Sequence, residues 1–135
     1  MKQDEIGPFL RQPRIADLAT VRPDGSPHVA PVWYHYDGEK VRVIAEASAV
    51  KLRNIEHDPR VALSIATGSA PYQYVLVNGT AEVSRETPPE LLRAMAIGYM
   101  GRAKGDRYAD RVLKEMDFRL ITVTPSRITG WASEE

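Results

Sequence analysis

The sequence predicts a mainly β protein, with six antiparallel strands closed or half-closed into a small barrel. Three observations support this. Most segments alternate apolar and polar residues, tight turns join several of them, and only short helical patterns interrupt them. The predicted order is β-β-β-α-β-β-α-α-β, with one short helix after the third strand and two helices before the last. A barrel limits exposed strand edges. We expect a single domain over residues 1–135.

The first three strands are predicted within residues 14–47, after a short helix over 4–12. The turns between them are Pro23-Asp24-Gly25 and Asp37-Gly38. Proline presets one backbone dihedral, glycine accepts a positive φ, and Asp-Gly is typical of tight hairpins. Residues 28–36 are therefore expected to form the second strand as one continuous segment.

Capping residues predict where the helices begin and end. Ser48 is the expected N-cap of the helix after the third strand, and Asp58-Pro59 is its stop. The remaining elements are predicted as strands over 60–67, 72–83 and 118–131, and helices over 87–101 and 106–116.

Helix 87–101 carries the clearest signals of its own boundaries. Thr87 and Glu90 have the spacing of a capping box, Pro88 has the position of a first helical residue, and Gly101 closes the end.

Composition excludes several classes of function. Eighteen Lys and Arg balance eighteen Asp and Glu, so the chain has no global attraction for nucleic acid or anionic membranes. The absence of cysteine excludes disulfides, thiolate catalysis and cysteine zinc sites. No apolar run approaches the ~20 residues of a membrane span, and the cytoplasm is the simplest expectation. His28 and His35 lie seven apart on one predicted strand, on opposite faces, so we expect no metal site.

The segment "SAVKLRNIEHDPR", residues 48–60, predicts an anion site. Lys51 and Arg53 fall in the first turn of its helix, where the helix dipole disfavours cations by a few tenths to about 1 kcal/mol. A phosphate bound by the free N–H groups, by Ser48 and by Lys51 would reverse that penalty, with Asn54 one turn further on the same side. The alternative is that Lys51 and Arg53 are merely solvated.

The predicted strand "HVAPVWYHY", residues 28–36, could accept a planar ligand. Pro31 cannot donate a ladder hydrogen bond, which implies an edge, a bulge or a close approach to the backbone. Ordinary packing of these aromatic residues in a barrel core or a dimer seam is the alternative. Nothing in the sequence matches a nucleophile elbow, a Walker loop or a dinucleotide fingerprint.

Together, the long stretch over residues 19–65 and the later "VNGTAEV" resemble the flavin-binding split-barrel superfamily that includes pyridoxamine 5'-phosphate oxidase. The resemblance covers about residues 10 to 131 and is greatest to the small branch that uses the deazaflavin coenzyme F-420. It implies a Greek-key split barrel, a homodimer with cofactor sites at the interface, and two-electron redox chemistry on a small unsaturated substrate. Coenzyme F-420 is the first expectation for the cofactor and FMN the second.

The resemblance also implies roles for individual residues. Lys51 matches the lysine that contacts the cofactor phosphate, Asn54 a polar neighbour, and Ile44 and Ala45 the strand end beside the phosphate. The ring system is expected along the strand that carries His28, Pro31, Val32 and Trp33. Tyr74 matches a position that reaches the cofactor from the partner subunit, and Trp131 a C-terminal segment that borders the site. The resemblance assigns no proton donor.

This chain departs from the pattern where family members often carry further cations. Ala49 and Val50 occupy part of the expected basic loop, and Val29 and Tyr34 replace an arginine and a lysine of the vitamin oxidase. We therefore do not expect true pyridoxamine phosphate oxidation. The loss of a cation also mildly favours the deazaflavin over FMN, because its phosphodiester and acidic tail spread the contacts. Two alternatives remain open, namely a non-enzymatic module that binds a flavin, deazaflavin or haem-like ligand, and a scaffold that has lost its cofactor.

Overall fold

A computed structural model describes residues 1–133 and contains, within that range, four helices and seven strands. The elements in chain order are α1 (Gln3–Leu10), β1 (Ala16–Val21), β2 (Pro27–Val32), β3 (His35–Tyr36), β4 (Val41–Glu46), α2 (Val50–His57), β5 (Arg60–Ala66), β6 (Gln73–Ser84), α3 (Pro89–Met100), α4 (Arg102–Glu115) and β7 (Phe118–Ala132). None of the helices within residues 1–133 combines the length and the apolar composition needed to cross a bilayer.

The strands form one antiparallel sheet in the order β2-β1-β5-β6-β7-β4-β3. Its two edge strands, β2 and β3, are separated in sequence only by Trp33 and Tyr34. Because two residues of extended chain span only about 7–10 Å, the sheet must curl until its edges approach each other. This confirms the predicted mainly β, antiparallel half-barrel.

The prediction of six strands was wrong, because residues 28–36 form two strands and not one. Pro31 lies on the edge strand β2, as its missing N–H requires. The backbone N–H of Tyr34 leaves the ladder and donates instead to the phenol oxygen of Tyr99, at 3.0 Å. That phenol donates in turn to the carbonyl of Arg14, at 2.7 Å. A helix residue therefore satisfies the backbone where the two edges meet.

The core fills the inside of the curled sheet. Alternate residues of the strands point inward, and several are at most 1% exposed, including Leu18, Val43, Leu63, Val77 and Ile121. Burying each such side chain contributes about 1.5–3 kcal/mol relative to leaving it in water. Apolar residues of α1 and α2 pack onto the same core, namely Ile6, Phe9, Leu10, Leu52 and Ile55.

Helices α3 and α4 lie between β6 and β7 in sequence, yet these two strands pair directly with each other from Gln73↔Ala132 to Ser84↔Leu120. The helices pack closely because Gly105 has no side chain: a Cβ there would lie 2.6 Å from the Cα of Ile97. They are also joined by Arg93, which binds Asp106 at 3.0 Å and Asp110 at 2.7 Å.

The caps differ from the predicted ones. The N-cap of α2 is Ala49, without a side-chain hydrogen bond, so the assignment of Ser48 as the cap was wrong. The capping box was wrong too, since α3 has Pro88 as its N-cap and the hydroxyl of Thr87 is buried without a partner among residues 1–133. The end at Gly101 is confirmed: its φ is 88° and its N–H donates to Ile97.

The predicted turns and the predicted end of α2 are confirmed. Gly25 and Gly38 have φ values of 89° and 97°, in the turns predicted for them. Helix α2 ends before Asp58, as expected.

Candidate functional site

A cavity of about 470 Å³ lies between the ends of β2 and β4, the start of α2 and the helix pair α3–α4. Six of the residues predicted from the sequence line it: Pro31, Val32, Trp33, Ile44, Ala45 and Lys51. The other lining residues were not predicted: Ile15, Glu46, Ala49, Leu92, Met95, Tyr108, Met116 and Phe118. The size and the largely apolar lining are typical of a small-molecule site.

The strands bring separate parts of the chain to this cavity. Glu46 pairs with Phe118 and Ile44 with Leu120 in the β4–β7 ladder, which places the end of α4 and the start of β7 beside the end of β4. Pro31 and Val32 lie at the end of β2, where the strand ends and Trp33 leaves the sheet. Strand ends, rather than strand centres, therefore form the barrel side of the cavity.

Lys51 supplies a cation at one wall. It lies in the first turn of α2, is partly buried, and lines the cavity together with Ala49. The first turn of α2 has no acidic residue, and no side chain caps its N–H groups. Such N–H groups and the helix dipole favour an anion. Glu46 also lines the cavity and adds a negative charge at the same wall. The arrangement fits a phosphate held by Lys51 and the backbone.

Trp33 supplies an aromatic wall. Its ring is stacked on Tyr99, with centroids 4.7 Å apart and planes inclined by 8°, and it meets Tyr108 at 5.6 Å in a tilted arrangement. Burial raises the pKa of Tyr99, and it raises that of Tyr34 still further. Both phenols stay protonated and donate to main-chain carbonyls, Tyr34 to Gln12 and Tyr99 to Arg14.

Five of the predicted residues do not line this cavity, namely Ser48, Asn54, His28, Tyr74 and Trp131. Ser48 is exposed in the turn before α2. Asn54 is 2% exposed, and its amide donates to the hydroxyl of Thr20 at 3.0 Å, which anchors α2 to β1. His28 lies on β2 with its Nδ1 buried and without a hydrogen-bond partner among residues 1–133. Asn54 was expected beside Lys51 at the phosphate, but its side chain faces the barrel core.

Tyr74 and Trp131 form a pair of their own. They face each other across β6 and β7, with ring centroids 5.4 Å apart, and they are 37% and 46% exposed. Neither lines the cavity of this chain.

These two rings belong to a broad surface on the convex side of the sheet, which we call the outer face. Its apolar residues are Ala19, Val29, Ala62, Tyr74, Leu76 and Trp131 on β1, β2, β5, β6 and β7. The polar residues Asp17, Ser64 and Thr129 lie on the same face. Val29 is 61% exposed and Leu76 37%. Pro31 lies two residues from Val29 and so points to the same side of β2, which means that the cavity opens next to the outer face.

Three of the eight unpredicted lining residues, Leu92, Met95 and Tyr108, lie on the helix pair, and sequence patterns gave little sign of them. Leu92 and Met95 read as ordinary core positions of an amphipathic helix. Tyr108 falls one position before the buried Ala109 in α4. Only its contact with Trp33, 75 residues earlier in the numbering, marks it as part of the site.

A family model and solved structures agree about the proteins that this chain resembles. The sequence model described as pyridoxamine 5'-phosphate oxidase matches residues 3–132. An F-420 reductase of known structure is 30% identical, covers 90% of this chain and 94% of its own, and superposes with a TM-score of 0.73. A conserved hypothetical protein from Mycobacterium tuberculosis is 29% identical, covers 98% of this chain and 85% of its own, and has a TM-score of 0.77.

A third structure shows the fold alone. General stress protein 26 from Bacillus anthracis has a TM-score of 0.67 at 20% identity, with 94% of this chain and 91% of that chain covered. With a family model that spans nearly all of its length, and a half-barrel shared with these structures, the chain belongs to the pyridoxamine 5'-phosphate oxidase family.

Proposed function

We propose that this protein is an oxidoreductase that binds a deazaflavin, coenzyme F-420, in the cavity and transfers hydride to or from a small unsaturated substrate. FMN is the second candidate for the cofactor. The observation that carries the proposal is the meeting, in one cavity of about 470 Å³, of Lys51 at a helix start with the aromatic wall of Trp33. Family membership and the 30% identical F-420 reductase support it.

The residues that line the cavity are proposed to contact different parts of the cofactor. Lys51 and the first N–H groups of α2 hold a phosphate, while Trp33, Pro31 and Val32 lie along the ring system and Ile44 and Ala45 along the chain between them. The bound cofactor supplies the hydride chemistry, and the protein supplies orientation and a dry surface. A true pyridoxamine phosphate oxidase activity is not proposed, because Val29 and Tyr34 replace the basic residues expected for it.

We also propose that the outer face forms a homodimer seam. Its exposed apolar residues and its position beside the cavity mouth support this. In such a dimer, Tyr74 and Trp131 of one subunit cover the cavity of the other. This would account for two predicted site residues that lie outside the cavity of their own chain.

The test is a fluorescence titration of the purified protein with coenzyme F-420 and, separately, with FMN. We expect saturable binding at micromolar concentration, tighter for the deazaflavin. Absence of binding to both would contradict the proposal.

A non-enzymatic binding module is the second candidate, favoured by one observation. The titratable side chains that line the cavity are Glu46, Lys51 and Tyr108, and none of them hydrogen-bonds to another of the three. A pre-formed proton-transfer pair is therefore missing from the lining described. Reduced cofactor bound at full occupancy that transfers no hydride to enones or quinones would favour the binding module over the enzyme.

A further inference from the structure

A second concavity, of about 420 Å³, lies along α4 and shares Tyr108 with the cavity. Its other lining residues are Met100, Lys104, Arg107 and Arg111. The three cations are spaced by three and four residues, so they share one face of the helix. We call this surface the basic groove.

Two of the three carboxylates of α4 are turned away from the basic groove. Asp106 and Asp110 are bound by Arg93 of α3, at 3.0 and 2.7 Å. Within residues 1–133, Arg111 is the one groove cation with an ion pair, to Glu115 at 3.7 Å. A chain whose total charge is zero therefore concentrates Lys104 and Arg107 where no carboxylate of the described residues neutralises them.

Tyr108 connects this groove to the cavity. One side of its ring meets Trp33, with centroids 5.6 Å apart, and the Arg111 guanidinium carbon lies 5.4 Å from its centroid. A molecule that lies against Trp33 therefore has to extend only past the ring of Tyr108 to reach the three cations of the basic groove. Guanidinium and ammonium groups form short, charge-assisted hydrogen bonds with carboxylates and phosphates.

We propose that the basic groove binds a carboxylate or phosphate group of a small molecule whose apolar part occupies the cavity. The inference rests on the proposed function to the extent that the cavity is taken as the ligand site. The anionic group belongs to the substrate and lies at Lys104, Arg107 and Arg111. The acidic tail of the deazaflavin is joined to the ring system through the phosphate, which the proposed function places at Lys51, so the tail extends from the other end of the cofactor.

The test compares two double variants that remove the same charge from the same helix. Lys104→Gln/Arg107→Gln alters the groove, and Arg102→Gln/Lys114→Gln removes two exposed cations of α4 that do not line it. The probes are anilinonaphthalene sulfonate and phenylnaphthylamine, which has the same rings without the sulfonate. Binding is measured by fluorescence titration, and thermal unfolding establishes that both variants fold.

We expect the groove variant to bind the sulfonate probe about tenfold more weakly and the neutral probe equally well. The control variant should match the wild type with both. Unchanged sulfonate binding, or equal losses for both probes, would overturn the proposal.

A second arm identifies the source of the anionic group. The same variants are titrated with coenzyme F-420 and with the deazaflavin freed of its acidic tail. We expect no loss with either cofactor, and a loss confined to the tailed cofactor would overturn the assignment of the groove to the substrate. Because the probe comparison needs no bound cofactor, it remains readable if the wild-type protein binds neither F-420 nor FMN.

Discussion

The indole of Trp33 lies flat on the ring of Tyr99, with centroids 4.7 Å apart, where the chain leaves edge strand β2 for edge strand β3. The Tyr99 phenol at the same time accepts the N–H of Tyr34 and donates to Arg14. The side chain of Tyr99 thus positions the indole of Trp33 in the cavity and joins the two edge strands of the half-barrel.

The stack and the hydrogen bonds can be separated by Tyr99→Phe, which keeps the ring and removes the hydroxyl. We expect a loss of about 1–3 kcal/mol in the free energy of unfolding, because the buried N–H of Tyr34 loses its acceptor. Urea denaturation measures it. Tyr72→Phe is the control: Tyr72 is 52% exposed, and its change should stay within about 0.5 kcal/mol. Equal effects of the two substitutions would show that the phenol of Tyr99 does not stabilise the junction between β2 and β3.

The close approach of α3 and α4 depends on Gly105. Gly105→Ala should destabilise the protein by about 1–3 kcal/mol, since the new methyl group meets the backbone of Ile97 and forces the helices apart. Gly98→Ala is the matched control in α3, where a Cβ meets nothing within 4 Å. There we expect a gain of about 0.5–1 kcal/mol from lower backbone entropy in the unfolded chain. The prediction fails if both substitutions stabilise.

The phosphate role proposed for Lys51 predicts a selective loss of affinity. Lys51→Met should weaken binding of the phosphate-bearing cofactor by about 1.5–3 kcal/mol and leave binding of the ring system without phosphate unchanged. Equilibrium fluorescence titration measures both. Arg53→Met removes an exposed cation of the same helix that does not line the cavity, and should have little effect. Unchanged affinity in Lys51→Met would contradict the phosphate role proposed for Lys51.

The outer face predicts the oligomeric state. Leu76→Arg places a charge in the middle of the proposed seam and should convert a dimer into a monomer, as measured by sedimentation or by light scattering. Ala103→Arg, on the exposed side of α4, should leave the assembly unchanged. A wild-type protein that is monomeric at the concentrations of the cofactor titration would contradict the proposed seam.

Stability should fall in acid partly through Asp58. The Arg60 guanidinium, which donates to both carboxylate oxygens, lowers the pKa of Asp58 to about 2 from its ordinary value of 3.8. A carboxyl with a lowered folded-state pKa stabilises the protein fully above its unfolded value, and this contribution disappears as the pH falls through the folded value. Asp58→Asn and Arg60→Gln should therefore both flatten the stability curve between about pH 4 and pH 2. A steep wild-type slope retained in Arg60→Gln would exclude this ion pair as its source.

Much of the fold could be predicted because many strands and turns depend on residues within the same segment of the sequence. Alternation reports that one face of a strand is buried, and Gly25, Gly38 and Gly101 occur where the backbone requires a positive φ. The split between β2 and β3 has a distant cause, since Tyr34 donates to a residue 65 positions later. Nothing within residues 28–36 specifies that partner.

The same distinction applies to the site. Lys51 and Trp33 could be predicted because each stands out within its own segment. Asn54 shares the helical spacing of Lys51, but Thr20 on a neighbouring strand binds its amide in the core. Tyr108 shows no local sign of its role, because that role comes from a contact between α4 and the end of β2.

The direct pairing of β6 with β7 makes the helices α3 and α4 an excursion from what is, in the sheet, one long hairpin. The barrel and the first turn of α2 fix the cationic wall of the cavity, while Leu92, Met95 and Tyr108 on the excursion form the opposite wall. The two walls are nevertheless coupled, because Tyr99 on the excursion stacks on Trp33 and joins Tyr34 to Arg14. Exchange of the excursion breaks no strand pair, but it has to keep this tyrosine. In this architecture, the helical excursion is free to vary except at the one residue that fastens it to the strand edges.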